Sequence, residues 1–187
     1  MIKLIVGLGN PGQQYEKTRH NAGFLFLDYL LEHFSGSWSK ESKFHGLVSN
    51  VFVGGNKIVL LKPQTFMNRS GLSLASVARF YKMDSSEILV VHDELDFEVG
   101  VVKLKMGGGH AGHNGLRDIM TSLGEKGFYR ARLGIGRPVS AKPVVDYVLS
   151  NFSKSDQEKL LNAFDLLDGQ MDKIVSGDFS SAMSQIN

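Results

Sequence analysis

Ile2-Lys-Leu-Ile-Val-Gly-Leu-Gly-Asn-Pro-Gly12 is the stretch on which the reading of the fold turns. Ile2 to Val6 is a short apolar run of strand length, and Gly7, Gly9 and Gly12 after it spell GxGxxG, the pattern of a dinucleotide-binding loop. Such a unit needs a second strand ending in an acidic residue about 20 positions further on. Here that interval holds Asn21 to Phe34, where Phe24, Leu27, Leu30, Leu31 and Phe34 recur at helical spacing and Asp28 and Glu32 fall on the polar face. Gly107, Gly109 and Gly112 repeat the glycine pattern, which shows how readily glycine-rich loops generate it. The stretch therefore opens an α/β unit, with no nucleotide cofactor expected.

Working outward, Phe44 to Val53 and Lys57 to Leu61 flank Gly54-Gly55-Asn56, a hairpin turn by composition. Leu72 to Phe80 reads as helix, and Ile88 to Val91, Val101 to Lys105 and Arg130 to Ile135 as strands. Leu116, Ile119, Met120 and Leu123 line one face of a helix that Gly124 stops. Beyond residue 150, Ser155-Asp156-Gln157-Glu158 has the form of a capping box. Leu160, Leu161, Phe164, Leu167, Met171 and Ile174 follow on one stripe, so a packed C-terminal helix ending at Gly177 is expected. With no repeat and no linker, residues 1–187 should form a single α/β domain, a twisted mixed β-sheet flanked by helices with a C-terminal helical segment.

The chain has 187 residues, 42% hydrophobic and 21% charged, the balance of a folded domain. It has no cysteine, which removes thiolate metal sites, disulfides and sulfur nucleophiles, and suits a reducing cytoplasm. No apolar run approaches the roughly 20 residues of a membrane span, and the N-terminus lacks the apolar core of a secretory signal. Net charge is only +2, but residues 100 to 142 carry eight basic side chains against two acidic ones. Such a stripe suits a phosphate-bearing partner, or is simply a solvated basic face.

The unusual polar residues fall after strands. Asn10 follows the first strand, Asn68 follows Lys57 to Leu61, Asp93 ends Ile88 to Val91, and Gly107 to Asn114 follows Val101 to Lys105. In open α/β sheets the carboxyl edge of the strands is where ligands bind. Singly, Asn10-Pro11-Gly12 is a turn, Asn68 and Asn114 are N-caps and Asp93 closes a strand. Together they outline a pocket of neutral amides with one carboxylate. His20, in the loop between the first strand and its helix, can reach that edge, and a histidine paired with a carboxylate is the minimal base for activating water. His92, His110 and His113 with Asp93, Glu94 and Asp96 also permit a metal site, although no strong ligand spacing is present. His33 and His45 sit in ordinary helix and strand contexts.

Five ordered motifs resemble bacterial-type peptidyl-tRNA hydrolases: Val6-Gly-Leu-Gly-Asn-Pro-Gly12, Thr18-Arg-His-Asn-Ala-Gly23, Thr65-Phe-Met-Asn-Arg-Ser-Gly71, His92-Asp-Glu-Leu-Asp96 and Gly107-Gly-Gly-His-Ala-Gly-His-Asn-Gly-Leu116. The resemblance covers essentially residues 1 to 150. It implies a monomeric cytoplasmic esterase that frees stalled peptides from transfer RNA without metal or cofactor, acting on the acceptor end of peptidyl-tRNA and the attached peptide. By that resemblance His20 is the proton acceptor and Asp93 orients its imidazole. Asn10 helps separate blocked from unblocked aminoacyl ends. Tyr15, Phe66, Asn68, His113 and Asn114 belong to the substrate-binding set, and Lys103, Lys105 and Arg132 match positions associated with RNA phosphates. Ala111 stands where the family often has glycine.

That chemistry suits the residue inventory, because ester hydrolysis needs a positioned water, a base near neutral pKa and donors for the oxyanion. Two alternatives stay open from the residues alone: a nucleic-acid-binding module in which the asparagines only cap, and a metal hydrolase built on His110, His113 and Asp93.

Overall fold

The computed structural model describes residues 1–187. A seven-stranded sheet runs through it, with strands β1 (Leu4–Gly7), β2 (Ser39–Glu41), β3 (Gly46–Val53), β4 (Asn56–Pro63), β5 (Ile88–Glu94), β6 (Val102–Met106) and β7 (Tyr129–Gly134). Their order is β2-β3-β4-β1-β5-β7-β6. The central four, β4, β1, β5 and β7, are parallel, while β2, β3 and β6 add on antiparallel at the two sides. The expected hairpin is the β3–β4 pair, with Gly54 and Gly55 at positive φ in its turn. The mixed sheet matches the fold class expected from the sequence.

Buried on both faces, β1 and the Ile88–Val91 part of β5 read as unbroken apolar runs, as central parallel strands do. Alternate residues then serve two cores. Ile5, Leu89, Val91, Val102, Leu104, Ala131 and Leu133 pack on one face against helix α1 (Ala22–His33) and the C-terminal helices. Leu4, Val6, Val59, Leu61, Ile88 and Val90 pack on the other against α2 (Ser70–Phe80) and α3 (Asn114–Leu123). The start of α1 lies directly on the ends of β1 and β5. A Cβ on Gly23 would overlap the Val91 carbonyl, and this glycine lets the helix, with the turn before it, come down onto the sheet edge.

Three elements differ from the sequence expectation. The tail is not one helix but three: α5 (Lys154–Asp168), α6 (Met171–Ser176) and α7 (Phe179–Ile186). The apolar period survives the break at Gly169-Gln170, because Leu160, Phe164, Leu167, Met171 and Ile174 all reach the same core; Leu161, expected on that stripe, is instead half exposed. The cap of α5 is Ser153, whose hydroxyl accepts from Asp156 N at 3.1 Å, rather than Ser155, while Gly177 ends α6 at φ 94° as expected. A short helix, α4 (Val144–Val148), and the edge strand β2 carried no readable signal.

Candidate active site

Asn10, His20, Asn68 and Asp93 all follow or end parallel strands and meet at the carboxyl edge of the sheet. His113 and Asn114 arrive differently. Because β6 is antiparallel to β7, its end lies at the opposite edge, with Met106 beside Tyr129 at the start of β7. The segment 107–113 must therefore travel back along the face of β7 before α3 begins.

Arg130 of β7 holds that segment. Its Nη1 donates to the carbonyls of Gly107 (3.3 Å) and Gly109 (2.9 Å), and its Nε donates to His92 Nε2 at 3.1 Å. His92 in turn donates from Nδ1 to the Asp93 carbonyl at 2.8 Å. Burial, with the Arg130 guanidinium beside it, holds the His92 pKa well below its usual range, so this imidazole is a neutral link.

At the centre, the buried Asp93 carboxylate accepts from two imidazoles. Oδ2 pairs with His20 Nδ1 and Oδ1 with His113 Nε2, both at 2.8 Å. The tautomers follow from the remaining partners. His113 is the N-cap of α3, and its Nδ1 accepts from the amides of Gly115 (3.1 Å) and Leu116 (3.3 Å), so its proton sits on Nε2. His20 donates its Nδ1 proton to Asp93, which leaves Nε2 as a free acceptor without a protein partner. Burial disfavours the His20 imidazolium, but the charge of Asp93 and its hydrogen bond outweigh that, and the pKa lies above the ordinary 6.5. Burial alone would raise the Asp93 pKa; the two imidazoles reverse it and keep the carboxyl far below its usual range.

His20 lies between two cavities. One, of about 240 Å³, is lined by Asn10, Phe66, Met67, Asn68 and Asn114; the other, of about 120 Å³, by Asp93, His110 and His113. Val145 and Val148 of α4 border both. The Arg19 guanidinium, next in sequence to His20, ties this helix down: it lies 4.6 Å from the Tyr147 ring centroid and donates to Ser150 Oγ at 2.7 Å. Tyr15 and Phe66, both expected in the substrate-binding set, meet edge to face at 6.4 Å, with Phe66 exposed.

Asn10 is fixed by neighbours that the sequence did not point to. Asn21 accepts from Asn10 N at 2.8 Å and donates to Asn10 O at 3.0 Å, and Asn10 Oδ1 accepts from Met67 N at 2.7 Å. With Oδ1 already engaged, the amide has its Nδ2 hydrogens left without a protein partner. Asn21 stands in the same short motif as His20, but nothing in a linear pattern shows that it braces residue 10. Arg130 had a faint signal, a charge at an inward position of an otherwise ordinary strand.

Lys103 lies opposite Arg132, and Lys105 opposite Arg130, on the face of β6 and β7 shared with His92. Lys103 and Arg132 both stack on Phe97, each 5.0 Å from its centroid. Like charges directly opposite one another destabilise a sheet, so a basic ladder of this kind suits an anionic partner.

The alternative metal set of His110, His113 and Asp93 is not assembled as such: His110 stands apart and accepts from Gly112 N at 3.0 Å. His20, Asp93 and His113 offer three ligand atoms within 4.8 Å of one another instead. Binding a cation through His113 Nε2 would move the ring proton to Nδ1, against the Gly115 and Leu116 N–H donors, so the donor set suits proton transfer and not a metal.

The sequence profile of peptidyl-tRNA hydrolases matches residues 4–187. The chain belongs to the peptidyl-tRNA hydrolase family. Among its relatives, the peptidyl-tRNA hydrolase of Methylococcus capsulatus is 49% identical over the full length of both chains, and that of Dichelobacter nodosus is 49% identical over 98% of this chain and 97% of its own. The crystal structure of the Acinetobacter baumannii peptidyl-tRNA hydrolase superposes with a TM-score of 0.95 at 44% identity, covering 100% of this chain and 94% of that one. The family reading made from the five motifs thus extends through the tail, where no motif was readable.

Proposed function

We propose that this protein hydrolyses the ester joining a peptide to the ribose of transfer RNA, with His20 as general base and water as nucleophile. The observation that carries the proposal is the His20 Nδ1–Asp93 Oδ2 bond of 2.8 Å, which leaves Nε2 free in a cleft of neutral amides. Water held at Nε2 attacks the ester carbonyl and yields its proton to that nitrogen, Asp93 stabilises the imidazolium formed, and the proton then passes to the departing ribose oxygen. Asn68 and Asn114, whose side chains have no protein partners, are available to substrate, with Tyr15 and Phe66 at the rim.

Asn10 supplies selectivity in this reading. Its Nδ2 can only donate, so it matches a peptide carbonyl, which every N-blocked aminoacyl end has and a free aminoacyl end lacks. An ammonium there would meet a donor and lose hydration without compensation. Lys103, Lys105 and Arg132 take RNA phosphates. No helix is long and apolar enough to cross a membrane, and we place the protein in the cytoplasm, as a monomer, acting on peptides stranded on transfer RNA.

Release of an N-acetyl-aminoacyl group from transfer RNA, with chelator present and with the unblocked substrate as control, tests this. Turnover of the blocked substrate alone, unaffected by chelator and abolished in His20→Ala with RNA binding retained, is expected. Retained turnover in His20→Ala would overturn the assignment of the base.

A further inference from the structure

Lys103 and Arg132 face each other across β6 and β7, yet neither has an ion-pair partner. Asp96, the acid adjoining Phe97 in the loop after β5, is taken by Arg137, whose Nε donates to it at 3.1 Å. The repulsion reaches the next rung: burial, and then the Arg132 charge, hold the Arg130 guanidinium below its usual range. Cations placed opposite one another should spread into solvent unless something gathers them.

A carboxylate would gather them by neutralising the charge that a phosphate needs. An aromatic ring attracts a cation through its quadrupole and leaves the charge in place. Phe97 is such a ring, with Lys103 Nζ and Arg132 Cζ each 5.0 Å from its centroid. Arg132 Nε is buried without a hydrogen-bond partner, so no acceptor at that nitrogen aims the guanidinium and the ring contact does. The ring is itself held in place. Gly136 N donates to the Phe97 carbonyl at 2.8 Å, and a Cβ on Gly134 would overlap the carbonyls of Phe97 and Glu98. With glycine there, the loop lies directly on β7 and brings the ring beside both cations.

We infer that Phe97 is a positioning residue for RNA, which gathers Lys103 and Arg132 into one pair ready for phosphate and neutralises neither. This inference rests on the assignment of the ladder to RNA phosphates and adds the residue that organises it.

The test titrates the whole protein with deacylated transfer RNA between 50 and 200 mM salt and measures kcat separately on the N-acetyl-aminoacyl substrate. Phe97→Leu keeps an apolar side chain and removes the ring, while Phe97→Tyr keeps the ring. Each exposed cation–ring contact is worth about two- to fivefold, so Kd should rise about fivefold to twentyfold in Phe97→Leu. The slope of log Kd against log salt should stay at the wild-type value, because the same phosphates are still contacted, and kcat should not change. Phe97→Tyr should bind as the wild type does. A Kd within about twofold of wild type in Phe97→Leu, a slope reduced by about one contact or more, or an equal loss in Phe97→Tyr would overturn the inference. Arg132→Ala in the same titration checks the ladder: an unchanged slope there would overturn the RNA assignment and this inference with it. Wild-type binding without turnover would overturn the esterase reading alone.

Discussion

Replacing Asp93 by Asn tests the proton logic of the site with almost no change in shape. The two carboxylate oxygens of Asp93 accept from His20 Nδ1 and His113 Nε2 at 2.8 Å each. An asparagine can accept at one position only. His113 cannot switch tautomer, because its Nδ1 faces the Gly115 and Leu116 amides, so the asparagine oxygen stays with His113 and its NH2 turns to His20. His20 Nδ1 must then accept, which places the ring proton on Nε2 and removes the base from the cleft. A positioned base contributes about 10² to 10⁴ in rate, and the comparable wrong-tautomer substitution in serine-protease triads costs about 10⁴. We expect kcat to fall about 10³-fold to 10⁴-fold, a barrier increase of about 4–5 kcal/mol, with KM changed less than about threefold. With the raising influence of Asp93 gone, burial should take the His20 pKa below 6.5. Single-turnover release of N-acetyl-aminoacyl groups gives the first quantity, and nitrogen-detected imidazole NMR gives the tautomer and the titration. A kcat within tenfold of wild type, or a His20 that still carries its proton on Nδ1, would refute the reasoning.

Activity should rise with pH through a His20 pKa above 6.5, because only the neutral ring accepts a proton. Stability runs the other way: the raised pKa means that the His20–Asp93 pair stabilises the fold fully below pH 6.5 and less as pH climbs through the folded value, so urea midpoints of wild type and His20→Ala should converge toward alkaline pH. Arg132→Glu and Lys105→Glu should raise KM and reduce the slope of log KM against log salt by about one contact each, measured between 50 and 200 mM salt. Gly23→Ala should cost about 2–4 kcal/mol in chemical denaturation, because its Cβ overlaps the Val91 carbonyl beneath α1. Arg130→Ala removes three hydrogen bonds that hold His92 and the 107–113 segment; it should destabilise by a similar ~2–4 kcal/mol and lower kcat, with KM little affected.

The amino-acid order by itself determined the pieces and most of their chemistry. The run Ile88 to Val91 reads as a central strand because it is apolar throughout, the spacing from Leu116 to Leu123 marks a helix that Gly124 ends, and His20 and Asp93 stand out as a candidate base and carboxylate because each falls in a loop or at a strand end. These are local signals, set by the periods of strand and helix and by which residues can cap or turn. Tertiary structure decided what those signals do not encode. The antiparallel direction of β6 sends its end to the far edge of the sheet, so His113 reaches Asp93 only because a buried Arg130 carries the returning segment across β7. The amide bond from Met67 that leaves Asn10 only a donor, and the two imidazoles that share one carboxylate in place of the metal set from His110, join residues 20 to 73 positions apart. Gly169 and Gln170 split the tail, while its apolar stripe runs on unbroken. Hydrogen-bond partnership across such separations depends on strand direction and packing, and a sequence pattern with a period of two or of 3.6 contains neither.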